Sequence, residues 1–366
     1  MEKIIKNILK KIESNGFEAY IVGGYVRDLL LGNISYDVDI CTNALPKDLH
    51  TIFPNTGNSN NYGGFKLKIK KYNIDITTYR EDVKYENRKP IEINYINNLI
   101  DDINRRDFTI NAICMNYNGD IIDMINGIDD IKSKTIRIIG DANRKLKDDP
   151  LRILRAIRFS TLLDFDIEST LYKSIKDNYK LVSTLSNERI KSELTKILMS
   201  PNYKKGLSIL KDTKILKVLG IDYHNIVYIN DINGMWAQLE FNKDFSFTKS
   251  EKENIIKIKE VLAIGKIDNR ILYNYGLYIS QIAGNILGYS KKDINNMFDK
   301  LNLPNKYELA IKSKEIKEIL DVDYKYISKI ENKIINLILD GNLKNDYKLL
   351  KKYLVNNKEV FKGGQL

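Results

Sequence analysis

A chain of 366 residues has room for two or three domains, and its 43% of apolar residues can build a sizeable core. No apolar run reaches the ~18 residues that a membrane span needs, while only two cysteines (Cys41, Cys114) and two histidines (His50, His224) exclude a disulfide framework, a four-cysteine zinc site and a His-rich hydrolase centre. Any metal must then be held mainly by oxygen, as Mg²⁺-type ions are, and the net charge of +11 suits a polyanionic partner such as nucleic acid, although an AT-rich genome alone yields the same wealth of Lys, Asn, Ile and Tyr.

Residues 1–11 alternate apolar and charged side chains, which predicts an amphipathic helix and not a signal peptide, so the cytoplasm is the default compartment. Up to about residue 140, short runs at Ala19–Val22, Val38–Ile40, Phe65–Lys70, Ile74–Tyr79 and Ile121–Met124 predict strands alternating with helices. The first strand leads into Val22-Gly23-Gly24-Tyr25-Val26-Arg27-Asp28. Glycines at a strand-to-helix turn let backbone N–H groups such as that of Gly24 approach phosphate oxygens, and Arg27 adds a charged donor. Alone, the pair is a weak signal and reads more readily as an ordinary tight turn.

Asp37-Val38-Asp39-Ile40 follows. In a strand, residues i and i+2 share a face, so both carboxylates point to one side and Val38 and Ile40 to the other. Two adjacent acids repel unless cations lie between them, which suits two Mg²⁺ ions at a phosphoryl-transfer centre. Asp75, on the alternating strand Ile74–Tyr79, is a possible third carboxylate or a plain surface acid. Residues 80–97 are polar and punctuated by Pro90, and read as a long mobile connection. In Arg105-Arg106-Asp107-Phe108-Thr109-Ile110-Asn111, adjacent arginines point different ways on a helix. One of them is then free for a triphosphate while the other pairs internally, and Asn111 shares the face of Asp107. A charged, capped helix start is the plainer reading.

Beyond residue 140 the pattern is helical, with apolar spacing at Leu151/Leu154/Ile157 and Ile190/Leu194/Ile197. Asp148-Asp149-Pro150 opens a helix with Pro150 in its first turn and an aspartate as cap. Arg152, Arg155 and Arg158 then sweep an arc of roughly 120° beside Leu151 and Leu154. Such a stripe is costly unless it meets anions. A triphosphate and a base edge would serve, and Asp149 is spaced to lock Arg152 in place. Gly220–Gly234 reads as a junction, and Tyr307–Val355 as Lys-rich helices that are either solvated or in contact with RNA. Residues 361–366 read as a frayed end.

In order and spacing these motifs resemble the class II tRNA nucleotidyltransferase and bacterial poly(A) polymerase family, from about Tyr20 to Leu198 and more faintly to the C-terminus. The resemblance implies an α+β fold, in which a nucleotidyltransferase head with a short mixed β-sheet precedes an all-helical neck, body and tail. It places the catalytic head at 1–139, a neck for base recognition at 140–218, and a tRNA-binding body and tail at 219–366. It implies that Asp37 and Asp39 bind two catalytic Mg²⁺ ions, that Arg106 helps bind nucleotide and ribose, and that Asp149 and Arg152 select CTP or ATP. Arg155 and Arg158 then bind the incoming nucleotide, and Glu188–Leu194 resembles a motif that stabilises the neck. Tyr79-Arg80, Tyr85 and Arg88-Lys89-Pro90 resemble the loop that switches from C to A addition. Asp148 and Asp75 stand where Glu is usual, Lys145-Leu146 where Arg-Phe is, and Tyr62-Gly63-Gly64-Phe65 replaces His-Gly-Thr.

The activity so implied is addition of CCA to the 3′ end of tRNA from CTP and ATP, with no membrane involved. CC-only, A-only or poly(A) addition shares the chemistry, and a working loop at 80–97 speaks against a CC-only enzyme. A non-catalytic RNA-binding protein would not need Asp37, Asp39, Arg106, Asp149 and Arg152 together. Nucleotidyl transfer to a small molecule leaves the arginine helix and the basic helical half unexplained.

Overall fold

The computed structural model describes residues 2–54, 58–59, 64–86 and 89–362, with side chains for 2–54, 64–81 and 94–361. Tyr62, Gly63, Arg88 and the end at 363–366 lie outside the described residues. The chain gathers into two compact units, Met1–Ile221 with Asn242–Phe245, and Asp222–Phe241 with Ser246–Leu366.

In the first unit, α1 (Lys3–Glu13) buries Ile5, Ile8, Leu9 and Ile12 at helical spacing. β1 (Ala19–Val22) turns at Gly23 into α2 (Gly24–Leu30); β2 (Asp37–Thr42) and α3 (Pro46–Ile52) follow. β3 (Asn58–Ser59), β4 (Gly64–Ile69) and β5 (Tyr72–Thr78) complete one side of a seven-stranded sheet. Its order is β3-β4-β5-β2-β1-β8-β9, where β8 is Cys114–Met115 and β9 is Ile121–Ile122. The sheet is mixed, because β2 runs parallel to β5 while β1 is antiparallel to both β2 and β8. Val38, Ile40, Phe65, Leu67, Ile74 and Ile76 are buried between the alternating polar residues of their strands. That alternation leaves Asp37, Asp39 and Cys41 on the opposite face of β2. At the Cys41 end this face is closed by an apolar cluster that includes Val22, Tyr79, Leu99, Ile103 and Cys114. At the Asp37 end it is open.

Residues 80–97 are not the loop the sequence suggested. β6 (Arg80–Glu86) and β7 (Lys89–Tyr95) form an antiparallel hairpin with a register irregularity near Lys84. The polar composition masks a two-residue alternation at Val83/Tyr85 and Ile91/Ile93/Tyr95. The strand expected at Ile121–Met124 shrinks to two residues.

The Arg105–Asn111 segment is likewise not one helix. α4 (Leu99–Asn104) ends before the arginines, and Thr109–Asn111 is a separate 3₁₀ turn. α5 (Gly127–Lys132) braces that turn from behind, for a Cβ on Gly127 would lie 2.4 Å from the Thr109 carbonyl oxygen. α6 (Ala142–Asp148) and α7 (Leu151–Leu163) carry the fourth motif. α8 (Ser169–Asn178) and α9 (Asn187–Leu198) follow, and α9 buries Ile190, Leu194 and Ile197 as the spacing requires.

The second unit is helical, with long helices at Lys249–Ile264, Asn269–Ile286 and Tyr324–Leu339. Trp236 is fully buried there, with its edge against Phe241 and Phe247. No described helix is long and apolar enough to cross a membrane.

Candidate active site

The open end of the sheet places three acids together. Register sets Asp39 beside Asp75 and Asp37 beside Asn73 on the parallel pair β2 and β5. Asn73 Nδ2 donates to Asp37 Oδ1 at 2.8 Å, and Lys66 Nζ holds Asp75 Oδ2 at 3.0 Å. The Asp39 carboxylate accepts no hydrogen bond from a described residue. It keeps an open face, yet protein crowds its other sides. Burial therefore pushes its carboxyl above the ordinary range; Arg106 opposes this, and the Asp75 and Asp37 charges add to it.

Among the described residues no group of three or more His, Cys, Asp or Glu side chains is placed to hold a metal ion. Asp75 is taken up by Lys66, which leaves Asp37 and Asp39. Two carboxylates on one strand face, one of them without a protein partner, are a hard-oxygen donor set. Such a set fits a divalent cation that completes its shell with water and phosphate.

Gly23, at φ +85°, makes the turn from β1 into α2, and a Cβ there would come within 3.1 Å of Asp39 Oδ2. Glycine thus serves both the turn and the open space above the carboxylate. One turn on, Arg27 is buried. Its Nη1 donates to Asn111 Oδ1 at 2.6 Å, and Nε and Nη2 donate to Asp28 Oδ1 at 2.9 and 2.7 Å.

Sequence spacing gave Arg105 and Arg106 separate tasks, but both turn onto Asp102, which is wholly buried. Arg105 Nε donates to Asp102 Oδ1 and Arg106 Nη2 to Asp102 Oδ2, each at 2.8 Å. The helix ends at Asn104, just ahead of them, so both side chains fold back along α4. Arg106 Nε is buried without a hydrogen-bond partner.

The arginine stripe of α7 is compensated one residue at a time. Arg155 donates from Nε and Nη2 to Asp107 Oδ2 at 2.8 and 2.5 Å. Arg158 Nε lies 2.7 Å from Glu193 Oε2 on α9, an ion pair without hydrogen-bond alignment. The expected Asp149–Arg152 lock is absent. Arg152 Nη1 and Nη2 donate to the carbonyls of Lys145 (2.9 Å) and Arg105 (3.4 Å), while Asp149 Oδ1 accepts from the Leu151 amide at 3.1 Å. The reason is local: Asp149 caps α7 from ahead of Pro150, so its carboxylate faces the helix end and not the Arg152 side chain. Lys145 Nζ in turn donates to the Asn104 carbonyl at 2.7 Å, and burial beside Arg152 pushes its ammonium down to about 8.

One cleft of about 480 Å³ gathers most of these groups. Gly23, Gly24, Arg27, Asp39, Arg106, Asp107, Asn111, Asp149, Arg152, Arg155 and Phe159 line it. Asp37 and Asp75 lie beside it on the sheet face, and Arg158 is not among its lining residues.

Sequence reasoning missed Phe159, whose ring lies under Arg27, Arg155 and Arg158 at 5.3, 5.4 and 4.2 Å. It also missed Asp102, although the spacing to Arg105 and Arg106 (i+3 and i+4 on a helix) signals the pairing. Against burial, which alone would raise it, Arg155, the Phe108 amide and Asn111 hold the Asp107 carboxyl below the usual range. Stability from a depressed carboxyl is present above the ordinary pKa of about 3.9 and is lost as pH falls through the folded value. Asp107→Asn should thus cost about 1–3 kcal/mol at neutral pH. In urea titrations the gap to wild type should close in strong acid, and a pH-independent gap would count against the pair.

Residues 19–137 match the family described as poly A polymerase head domain, and residues 164–222 the one described as probable RNA and SrmB-binding site of polymerase A. The chain is 31% identical to the CCA-adding enzyme of Ligilactobacillus salivarius over 379 residues, covering 94% of this chain and 93% of that one. It is 38% identical to the CCA-adding enzyme of Streptococcus agalactiae over 252 residues, 67% of this chain and 60% of that one. Its fold superposes on the crystal structure of the Bacillus stearothermophilus CCA-adding enzyme in complex with CTP with a TM-score of 0.87 at 25% identity, covering 99% of this chain and 100% of that one.

Proposed function

The chain belongs to the CCA-adding enzyme family, and on that premise we propose that its cleft adds C, C and A to the 3′ end of tRNA, taking CTP and ATP without a nucleic-acid template. The observation that carries this reading is a single cleft bounded by Asp39 of the sheet and by Asp149 and Arg152 of the neck helices. For function we divide the chain into a head (1–139), a neck that reads the base (140–218), and a body and tail that hold tRNA (219–366), working in the cytoplasm.

The acceptor 3′-hydroxyl releases its proton to solvent as its oxygen forms a bond to the α-phosphorus, the bond from that phosphorus to the β-phosphate bridge breaks, and pyrophosphate leaves. The family is generally metal-dependent; when bound at Asp37 and Asp39, two Mg²⁺ ions supply charge neutralisation and a more acidic acceptor hydroxyl. Asp75 acts beside them by tuning the charge at Asp39. The open turn at Gly23 and Gly24 admits the triphosphate, and Arg27, Arg106 and Arg155 donate to its oxygens. Their own carboxamide and carboxylate partners (Asn111, Asp28, Asp102 and Asp107) fix their directions beforehand. Arg158 acts through Phe159 and the tie to α9, as a positioning residue. Cytosine and adenine each present an amino donor beside a ring-nitrogen acceptor, whereas uracil and guanine reverse that order. One carboxylate, Asp149, and one guanidinium, Arg152, match the first pattern and clash with the second.

The test is extension of a tRNA lacking its last three nucleotides, with CTP, ATP or both, sized at single-nucleotide resolution. Two additions with CTP and a third only once ATP is present are expected. A long A ladder would make the protein a poly(A) polymerase, and no extension would leave an RNA-binding scaffold.

A further inference from the structure

The strand that carries Asp37 and Asp39 has a neighbour on each side, and only one side belongs to the nucleotide cleft. The sheet runs in the order β4-β5-β2-β1 through this region. Gly23, Gly24 and Arg27, which line the cleft, follow directly on β1, and Asp39 lies on β2; no described residue of β4 or β5 lines it. In-line displacement needs the attacking oxygen on the far side of the α-phosphorus from the leaving pyrophosphate. With the triphosphate drawn toward the β1 side, the acceptor end has to approach across β5 and β4.

Register fixes what the acceptor meets there. Directly paired residues share a face, so two rungs run outward from the acids, Asp39 to Asp75 to Lys66 and Asp37 to Asn73 to Lys68. The first rung is closed on itself, because Lys66 Nζ holds Asp75 Oδ2 at 3.0 Å. In the second, Asn73 spends its amide on Asp37 and carries no charge. Lys68 ends that rung at the open end of the face; it is exposed, and among the described residues no acid pairs with it. Of the two lysines that β4 turns to this face, Lys68 alone is therefore uncompensated. At about 4.8 Å per strand its backbone stands roughly 10 Å from that of Asp37, a gap that its four-carbon stem and the sugar of one nucleotide fill between them. We propose that Lys68 binds the last phosphodiester of the acceptor RNA, and that the outer face of β5 and β4 is the track along which the 3′-hydroxyl reaches Asp37 and Asp39. This rests on the nucleotidyl-transfer reading above. An ammonium holds phosphate as a point charge and reads no base, which suits an acceptor whose terminal nucleotide changes with each addition.

The experiment uses the full chain, CTP, and a tRNA lacking CCA that carries either its natural last internucleotide phosphodiester or a neutral methylphosphonate there, with the acceptor KM measured over a range of salt. For the wild-type protein the methylphosphonate should raise the acceptor KM roughly threefold to tenfold, the range of a solvent-exposed charge contact, and reduce the steepness of log KM against log salt by about 1. Lys68→Gln should do the same to the natural acceptor and leave the KM for CTP within about twofold. It should show no further penalty from the methylphosphonate, since the two changes remove one contact, and Lys68→Arg should restore the discrimination. The side chain is exposed, so thermal unfolding of Lys68→Gln should match wild type and separate a lost contact from a lost fold. The proposal is overturned if wild type uses both acceptors equally. It is overturned too if the methylphosphonate penalty persists in full in Lys68→Gln, which would place that phosphate elsewhere, or if the variant raises the KM for CTP and not for the acceptor, which would give Lys68 to the triphosphate. Failure of the unmodified protein to extend the natural acceptor would instead defeat the functional reading itself.

Discussion

Asp39→Asn should leave the protein folded, at least as stable as wild type at neutral pH, and unable to extend tRNA. The side chain is nearly isosteric but loses the charge that would hold a cation, so kcat should fall by at least about a thousandfold, on the order of 4 kcal/mol of transition-state stabilisation. The stability half follows from the direction of the shift. Burial and the neighbouring acids raise the Asp39 carboxyl in the folded state. A raised carboxyl contributes stability below the unfolded pKa, and that contribution is lost as pH rises through the folded value. At pH 7 the ionised Asp39 thus works against folding, and a neutral amide relieves it. Single-turnover incorporation of CTP and thermal unfolding of the same preparation check both halves. Activity within tenfold of wild type would remove the carboxylate pair from the mechanism. A large drop in melting temperature would mean that Asp39 is structural. Asp107→Asn gives the contrast, because there the folded state holds the carboxyl down and the same exchange costs stability.

The parts of this site that are local in sequence were legible before the fold. Val38 and Ile40 alternate with Asp37 and Asp39, so the strand and its acidic face follow from period two alone. The arginines at 152, 155 and 158 follow equally from helical spacing. What stayed hidden depends on partners far apart in the chain. The setting of Asp39 beside Asp75 needs the parallel register of β2 on β5. Arg155 finds Asp107 across 48 positions, and Arg158 finds Glu193 across the neck. Local reasoning went astray where a helix ends sooner than its pattern suggests. α4 stops at Asn104, so Arg105 and Arg106 fold back together onto Asp102 instead of parting. The polar run at 80–97 concealed a hairpin, because composition speaks for a loop while the pairing that makes a strand is nonlocal.

Arg152→Ala should blur nucleotide choice more than it weakens tRNA. In the fold this guanidinium is 7% exposed and is held by two backbone carbonyls, those of Lys145 and Arg105, and not by Asp149. Arg152 also lines the cleft, and the N–H groups those carbonyls leave unused are the donors we assign to a ring nitrogen of cytosine or adenine. Truncation removes those donors and strands the two carbonyls, so some stability is lost as well, about 1–3 kcal/mol. The two effects separate because a ratio of kcat/KM values measured within one preparation does not depend on how much of it is folded. Wild type should prefer CTP over UTP at the first added position, and the variant should lose roughly tenfold to a hundredfold of that preference. The KM for tRNA should stay near its wild-type value, since Arg152 sits on the nucleotide cleft and not on the helical half assigned to tRNA. Uniform loss of rate with every nucleotide, at unchanged CTP to UTP ratio, would reduce Arg152 to a brace between α6, α7 and the Arg105 turn. Base selection would then fall to Asp149, whose second carboxylate oxygen is not used in capping α7.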